Sequence, residues 1–298
     1  MMTGHTPDRS PPPTPPGAAR RPHRGRRRDR RGGDLAQNAT GLAQSTGLGL
    51  PLGAGQVVAG RRCVTAHTSG YSPHVNLDTA VFDVDGTLVD TNYHHALAWY
   101  RAFRRHRITL PVWRLHRAIG MGGDQLVRAV AGDEVEARWG DAVRAAWAEE
   151  FAPMLEEVQP FEGVAELLGE VRRRGFRVVL ASSGKPEHVE HYLGLFDGKE
   201  LADAWTTSED VQRTKPAPDL LEAALRAVDG SAGVMIGDSV WDFRAAAALG
   251  APGYAVRSGG FSVDELCAAG ALDVFDSPAE LLHQLDETLL SGSGQRVS

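Results

Sequence analysis

The sequence predicts a doubly wound α/β domain, a parallel sheet with helices on both faces, interrupted after its first strand by an all-helical cap. Three observations predict it. From Phe161 onward, short apolar runs alternate with helical segments of about ten residues, the pattern of β-α units that build a parallel sheet. Between Tyr93 and Val158 no strand pattern occurs. One further apolar run, Ala80-Val81-Phe82, stands before that helical block and ends in two carboxylates, Asp83 and Asp85.

Residues 1–76 read as a disordered arm. They hold nine of the 17 prolines, eleven arginines, no lysine and three acidic residues, a formal charge of +8. Because the whole chain carries -6, the remainder carries -14. No apolar periodicity in the arm buries enough surface to offset ordering its backbone. Two other readings stay open: a basic arm for nucleic acid or a membrane surface, and a stretch upstream of the true start. The acidic body argues against nucleic acid as substrate, yet not against phosphate, because a bound cation inverts the local field.

The mildly apolar stretch from Leu48 to Ala59 is broken by Gly49, Pro51, Gly53 and Gly55, which makes a poor export signal. No run approaches the ~20 residues that span a bilayer. Cys63 and Cys267 suggest neither a disulfide framework nor metal-ligand spacing, so a cytoplasmic protein is expected.

The core is expected over 77–91 and 160–290, the cap over 92–159, and a flexible tail over 291–298. In the cap, Tyr93, Leu97, Tyr100 and Phe103 recur at helical spacing. Further helices are expected over 111–119, 124–131 and 133–158, the last carrying Trp139, Val143, Trp147, Phe151 and Leu155. Glycines 120, 122 and 123 mark a loop among them. The core continues as helix 164–174, strand 176–181, helix 186–195, strand 204–207, helix 217–228, strand 233–236, helix 241–249, strand 253–256 and helix 278–290.

The strand ends carry the chemistry. Ligands of open α/β sheets bind beyond the carboxyl ends of the strands. There stand Asp83 and Asp85, then Ser182-Ser183-Gly184-Lys185, and Gly237-Asp238 with Asp242 four residues on. Two neighbouring carboxylates repel unless a cation lies between them or one holds a proton. That points to a Mg²⁺ site, with one carboxylate as nucleophile and the other as proton donor. A hydroxyl and free N–H groups at a strand-to-helix turn suit a phosphate oxygen; a plain helix N-cap is the alternative at Ser182. Lys215, stiffened by Pro216 and Pro218, is one of only three lysines against 29 arginines, which favours a task for its compact charge.

With these residues in order, residues 78–290 resemble the haloacid dehalogenase (HAD) superfamily, in the capped branch of phosphoglycolate phosphatases and β-phosphoglucomutases. Asp83-Val84-Asp85-Gly86-Thr87 is similar to the nucleophile motif, Ser182 to the hydroxyl motif, Lys215 to the lysine motif, and Asp238 with Asp242 to the acidic motif. The resemblance implies a HAD-like Rossmannoid core and a Mg²⁺-dependent phosphatase of small phosphorylated metabolites. Asp83 would form a phosphoaspartate, and Asp85 would act as acid and then as base. Mg²⁺ would be held by Asp83, the Asp85 backbone carbonyl and Asp238. Lys215 and Ser182 would hold the transferring oxygens, with Thr87 and Ser183 beside them and Asp242 orienting Lys215 or a metal-bound water. His95 falls at the hinge-histidine position of the mutases, for which paired surface histidines His94 and His95 are the plain alternative. A mutase also needs a cap cation for a second phosphate. The loop Ile119–Asp124 offers none, which leaves a hydrolase ahead, with Arg114, Arg117 and Arg128 as substitutes nearby in sequence. A non-catalytic phospho-acceptor or binding protein is the alternative of another class, separated from an enzyme by turnover.

Overall fold

The computed structural model describes residues 61–63 and 76–292. Seven strands form one sheet: β1 (Arg61–Arg62), β2 (Thr79–Phe82), β3 (Arg177–Ala181), β4 (Ala204–Thr206), β5 (Gly233–Gly237), β6 (Gly253–Val256) and β7 (Asp273–Phe275), in the order β1-β7-β6-β5-β2-β3-β4. Strands β2 to β7 pair in parallel, and β1 joins β7 antiparallel. β2 and β5 are buried along their whole length, as continuous apolar strands covered on both faces should be.

Helices α1 (Asn92–Arg105), α2 (Val112–His116), α3 (Gly123–Ala131) and α4 (Asp133–Phe151) form the block between β2 and β3. Their own apolar core includes Trp99, Phe103, Leu115, Leu126, Val127 and Val143. The remaining helices are α5 (Val164–Arg173), α6 (Pro186–Leu193), α7 (Gly198–Leu201), α8 (Asp219–Ala227), α9 (Val240–Ala248), α10 (Val263–Ala269) and α11 (Pro278–His283). The largest cluster, with Phe82, Leu88, Leu168, Leu180 and Tyr192, and a second, with Val81, Val179, Leu221 and Met235, share the sheet. Alternate residues of β2 and β3 divide between them, as the two-residue period of a strand requires.

Several expectations are corrected. On α1 the buried residues are Asn92, His95, Ala96, Ala98, Trp99, Ala102 and Phe103, whereas Tyr93 and Leu97 are exposed. Small alanines let the helix approach its neighbours closely, and periodicity in large apolar residues misses such a face. The helix expected over 133–158 ends at Phe151 and passes into a 3-10 turn over Ala152–Glu157. That expected over 278–290 ends at His283, with a 3-10 turn at Leu285–Glu287.

β1, β7, α7 and α10 were not expected at all; strands of two and three residues are too short to show a period. Arg61–Cys63, assigned to the arm, stand at the edge of the sheet; the rest of residues 1–75 lies outside the described residues, as do 293–298 of the expected tail. The largest correction concerns the cysteines. Cys63, just after β1, is bonded to Cys267 on α10 across 204 residues of chain, with Cα atoms 5.3 Å apart. Both lie in or against an apolar cluster with Phe243, Phe261, Leu266 and Val274. The pairing of β1 with β7 creates that neighbourhood, and linear spacing does not encode it. Disulfides persist in oxidising compartments, so the bond removes the ground on which a cytoplasmic protein was expected. Among the described residues no helix is long and apolar enough to cross a membrane.

Candidate active site

The site follows from strand order. β2 lies between β3 and β5, so the residues just past three adjacent strands stand about 5 Å apart along the sheet edge. These are Asp83 and Asp85 after β2, Ser182 after β3 and Asp238 after β5. The chain runs from β2 through β3 and β4 on one side, then returns to build β5, β6 and β7 on the other. The β2–β5 boundary is therefore the switch point at which open sheets bind ligands.

The turn after β2 aims the two carboxylates apart. Gly86 takes a positive φ of 80°, and a Cβ there would lie 2.5 Å from the Asn92 side chain. Asp83 is buried and paired with Lys215 through Oδ1, while its Oδ2 is buried without a hydrogen-bond partner. Asp85 Oδ1 accepts from Thr91 at 3.0 Å and faces His95 Nε2 at 3.0 Å; Oδ2 accepts from Ser182 Oγ at 2.9 Å. Burial would raise the Asp85 carboxyl, but the His95, Ser182 and Thr91 bonds overcome it and hold it at about 2.

Lys215 lies between carboxylates. It pairs with Asp83 and stands 2.7 Å from Asp242 Oδ1. Burial disfavours its charge, but Asp242 and Asp83 outweigh that and raise its pKa. Asp242 is placed by the start of α9, where its Oδ2 accepts from Ser239 N at 3.0 Å and Ser239 Oγ at 2.6 Å. A carboxylate at the third helical position reaching back to the cap is a common way to start a helix; here its other oxygen is free for the lysine. Asp238 accepts from Thr87 Oγ1 at 3.0 Å and Asn92 Nδ2 at 2.7 Å.

This centre holds more negative charge than it neutralises. Burial raises Asp83 well above the usual carboxylate range; Lys215 opposes that, while Asp242 and Asp238 add to it. Burial and then the Asp242 charge lift Asp238 to about 7. One oxygen from each of Asp83, Asp238 and Asp242 lies within 4.8 Å of the others. Three buried carboxylates against one lysine, all oxygen donors, with the orphaned Asp83 Oδ2 among them, suit a hard divalent cation such as Mg²⁺. The Asp85 carboxylate is taken up by Ser182, Thr91 and His95 and is not among the clustered oxygens, which leaves its backbone carbonyl for a cation.

A cavity of about 390 Å³ adjoins Asp83 and Asp85. Its walls include Trp99, Met121, Arg144 and Trp147 from the cap, and Ser183 and Lys185 from the core. The cap loop is clasped to the core beside Lys215: Gly122 N donates to Thr214 Oγ1 at 3.0 Å, and Asp124 accepts from the same hydroxyl. Ser183 Oγ reaches the Gly120 carbonyl at 3.4 Å. On another side, His116 Nε2 lies 2.9 Å from the Gly259 carbonyl. Gly259 must be glycine, because a Cβ would sit 1.6 Å from Asp238 Oδ2.

Asp83, Asp85, Ser182, Lys215, Asp238, Asp242 and His95 thus meet in one place. Thr87 bonds Asp238, which differs from the phosphate contact expected of it. Arg117 pairs with Glu265, Arg128 with Asp133, and neither lines the cavity, nor does Arg114. Arg144 does line it, but its guanidinium is held by Glu136 at 2.9 Å and Asp141 at 2.8 Å and by the Gly123 carbonyl. Thr91, Asn92, Arg144 and Thr214 were given no task from sequence. Thr91 and Asn92 follow the first acidic motif directly, and that adjacency was the available signal; nothing local marks Arg144 or Thr214.

Comparison with known proteins agrees with this geometry. Residues 77–250 match the family model of the haloacid dehalogenase-like hydrolases. Phosphoglycolate phosphatase of Rhodospirillum rubrum is 31% identical over 215 residues, 67% of this chain and 88% of the relative. Validoxylamine A 7'-phosphate phosphatase of Streptomyces hygroscopicus subsp. limoneus is 28% identical over 154 residues, 50% of this chain and 70% of the relative. A solved hydrolase from Pseudomonas syringae superposes with a TM-score of 0.67 at 31% identity, covering 70% of this chain and 98% of its own.

Proposed function

This chain belongs to the haloacid dehalogenase-like hydrolases, and from that premise we propose that it is a Mg²⁺-dependent phosphatase hydrolysing a small phosphomonoester through an aspartyl phosphate at Asp83. One observation carries the reading: Asp83 ends the central strand with one oxygen paired to Lys215 and the other unpartnered beside the cavity.

An Asp83 oxygen attacks phosphorus in line, and the bond from phosphorus to the alcohol oxygen breaks. The negative phosphoryl group beside Asp85 raises its carboxyl above its low free-enzyme value, and the proton it then carries goes to the departing alcohol. The same carboxylate then takes a proton from water as that water attacks the aspartyl phosphate, which frees Asp83 and inorganic phosphate. One group serving as acid and then base in a two-step transfer is ordinary covalent catalysis. Ser182 and Lys215 donate to the phosphoryl oxygens, and Asp242 keeps Lys215 charged and in place. Asp83, Asp238 and the Asp85 backbone carbonyl would hold Mg²⁺, which when bound offsets the charge of the phosphoryl oxygens.

A phosphomutase is the second reading. It requires a cation free to hold a remote phosphate, and Arg144 is already held by Glu136 and Asp141. Lys185 at the cavity wall stands 3.8 Å from Glu187. The hydrolase is therefore preferred. The test is phosphate release from a panel of small phosphoesters, p-nitrophenyl phosphate included, with and without Mg²⁺. Repeated release that needs Mg²⁺ supports the phosphatase. A single turnover points to a phospho-acceptor, and glucose 1-phosphate converted to glucose 6-phosphate with little free phosphate points to a mutase. A cytoplasmic site of action would further require the Cys63–Cys267 pair to be reduced in the cell, which thiol titration of freshly isolated protein measures.

A further inference from the structure

In the proposed reaction the departing alcohol occupies the cavity beside Asp83 and Asp85, and the cavity walls carry a charge pattern of their own. Apart from those two carboxylates, the acidic and basic side chains that line it among the described residues are Asp124, Arg144 and Lys185. Arg144 has five N–H donors, and four are engaged. One terminal nitrogen donates to the Gly123 carbonyl and to Glu136 at 3.1 Å each. The other donates to Glu136 at 2.9 Å and to Asp141 at 2.8 Å. A guanidinium already held by a carboxylate fork has little to offer a second anion.

Asp124 is the reverse case. Its oxygens accept from Thr214 and from Gln125 Nε2, yet no cation pairs with it among the described residues. The Lys185 side chain is about half exposed, with Glu187 3.8 Å away, so water and that carboxylate screen its charge. With Glu136 and Asp141 included, the wall is negative on balance.

The rest of the wall is apolar and stiff. Trp99, Ile119, Met121, Trp147 and Val211 line it. Trp99 stacks on Trp147 with centroids 5.2 Å apart, and Trp147 on Phe151 at 5.5 Å. A column packed in this way does not fold inward over a small leaving group, which would leave apolar surface facing water. The volume of about 390 Å³ leaves room for a carbon body beyond the phosphoryl group.

We propose that the leaving group is an uncharged alcohol with a carbon body the size of a ring, and that esters of small hydroxy acids are refused. The inference rests on the phosphatase reading and names the substrate class of that site. The negative wall and the masking of Arg144 by Glu136 disfavour a carboxylate, and burial of the carbon body against the apolar wall favours bulk.

Matched esters test charge and size separately. With the full chain and Mg²⁺, kcat/KM for benzyl phosphate should exceed that for its para-carboxylated form by at least about tenfold. It should exceed that for ethyl phosphate by about tenfold or more, the gain expected from burying a ring. Values within about twofold in either pair, or a reversed order, overturn the proposal. Glu136→Gln unmasks Arg144 and should raise the ratio of carboxylated to plain ester about fivefold. Asp141→Asn, at a fully exposed carboxylate, should raise it less. A ratio unmoved in both variants overturns the masking of Arg144 and the proposal with it. Benzylphosphonate and its para-carboxylated form give a readout that needs no turnover. Quenching of tryptophan fluorescence should show tighter binding of the uncharged phosphonate, and equal or reversed binding overturns the proposal. If no ester, p-nitrophenyl phosphate included, releases phosphate while the phosphonates bind in the expected order, the phosphatase reading falls and the cavity assignment stands.

Discussion

His95 Nε2 lies 3.0 Å from Asp85 Oδ1, so the first cap helix and the end of the central strand meet in one hydrogen bond. His95 is also stacked on Phe151 of α4, with ring centroids 4.1 Å apart. The group expected to move protons is therefore held from the cap as well as from the core. Removing that bond should change its acidity.

Without His95, the burial that raises Asp85 loses its largest opponent, and the carboxyl rises from about 2. The titration of Asp85, followed by the NMR shift of its carboxyl carbon, should then move to higher pH in His95→Ala, by roughly one unit. His95→Gln keeps a donor and should move it less. An unchanged titration would mean that His95 does not hold the Asp85 carboxylate.

Asp83→Asn keeps shape and removes the attacking charge, so phosphate release should drop at least about 10³-fold while circular dichroism stays unchanged. Asp85→Asn should be nearly inert as well, with any phosphoenzyme that forms accumulating because no base activates water. Trapping with labelled substrate and acid quenching measures this. Normal turnover by a folded Asp83→Asn protein would falsify the mechanism.

The raised Asp238 carboxyl makes a prediction about stability. Its pKa is 3.8 unperturbed and about 7 in the folded, metal-free protein. The folded state therefore binds more protons between those values, so its stability falls as pH rises from about 4 through 7. Asp85 acts the other way and lower down, its contribution vanishing as pH drops from 3.8 toward 2. Metal-free protein should thus lose melting temperature from pH 5 to pH 8, and Mg²⁺ should restore it at the upper end. Asp238→Asn should flatten the slope and abolish the Mg²⁺ response. A flat profile in the parent would count against the crowded carboxylates.

The Cys63–Cys267 bond closes a loop that contains nearly all of the described core and cap. Reduction, or Cys63→Ser, should lower the unfolding free energy by about 2–5 kcal/mol, read from the denaturant midpoint under oxidising and reducing conditions. A chain begun at Val75 loses both β1 and Cys63 and should show a loss of the same order. Midpoints in all three equal to that of the oxidised parent would mean that the bond does not form in solution.

The sequence by itself determined the fold class and the list of reacting groups. Strands such as Val178-Val179-Leu180 and Val234-Met235-Ile236 are apolar without interruption because both faces are covered, and that signal is local. Asp83, Ser182, Lys215 and Asp238 were legible for the same reason: each adjoins a strand or turn that a few neighbouring letters specify. Only the tertiary structure decided which groups touch. Thr87 serves Asp238, Arg144 is held by Glu136, and Thr214 clasps the cap loop. Those relations, like the bond between Cys63 and Cys267, join residues up to 204 positions apart. They depend on strand order and helix rotation, and these come from packing the whole chain at once, which no short stretch of sequence encodes.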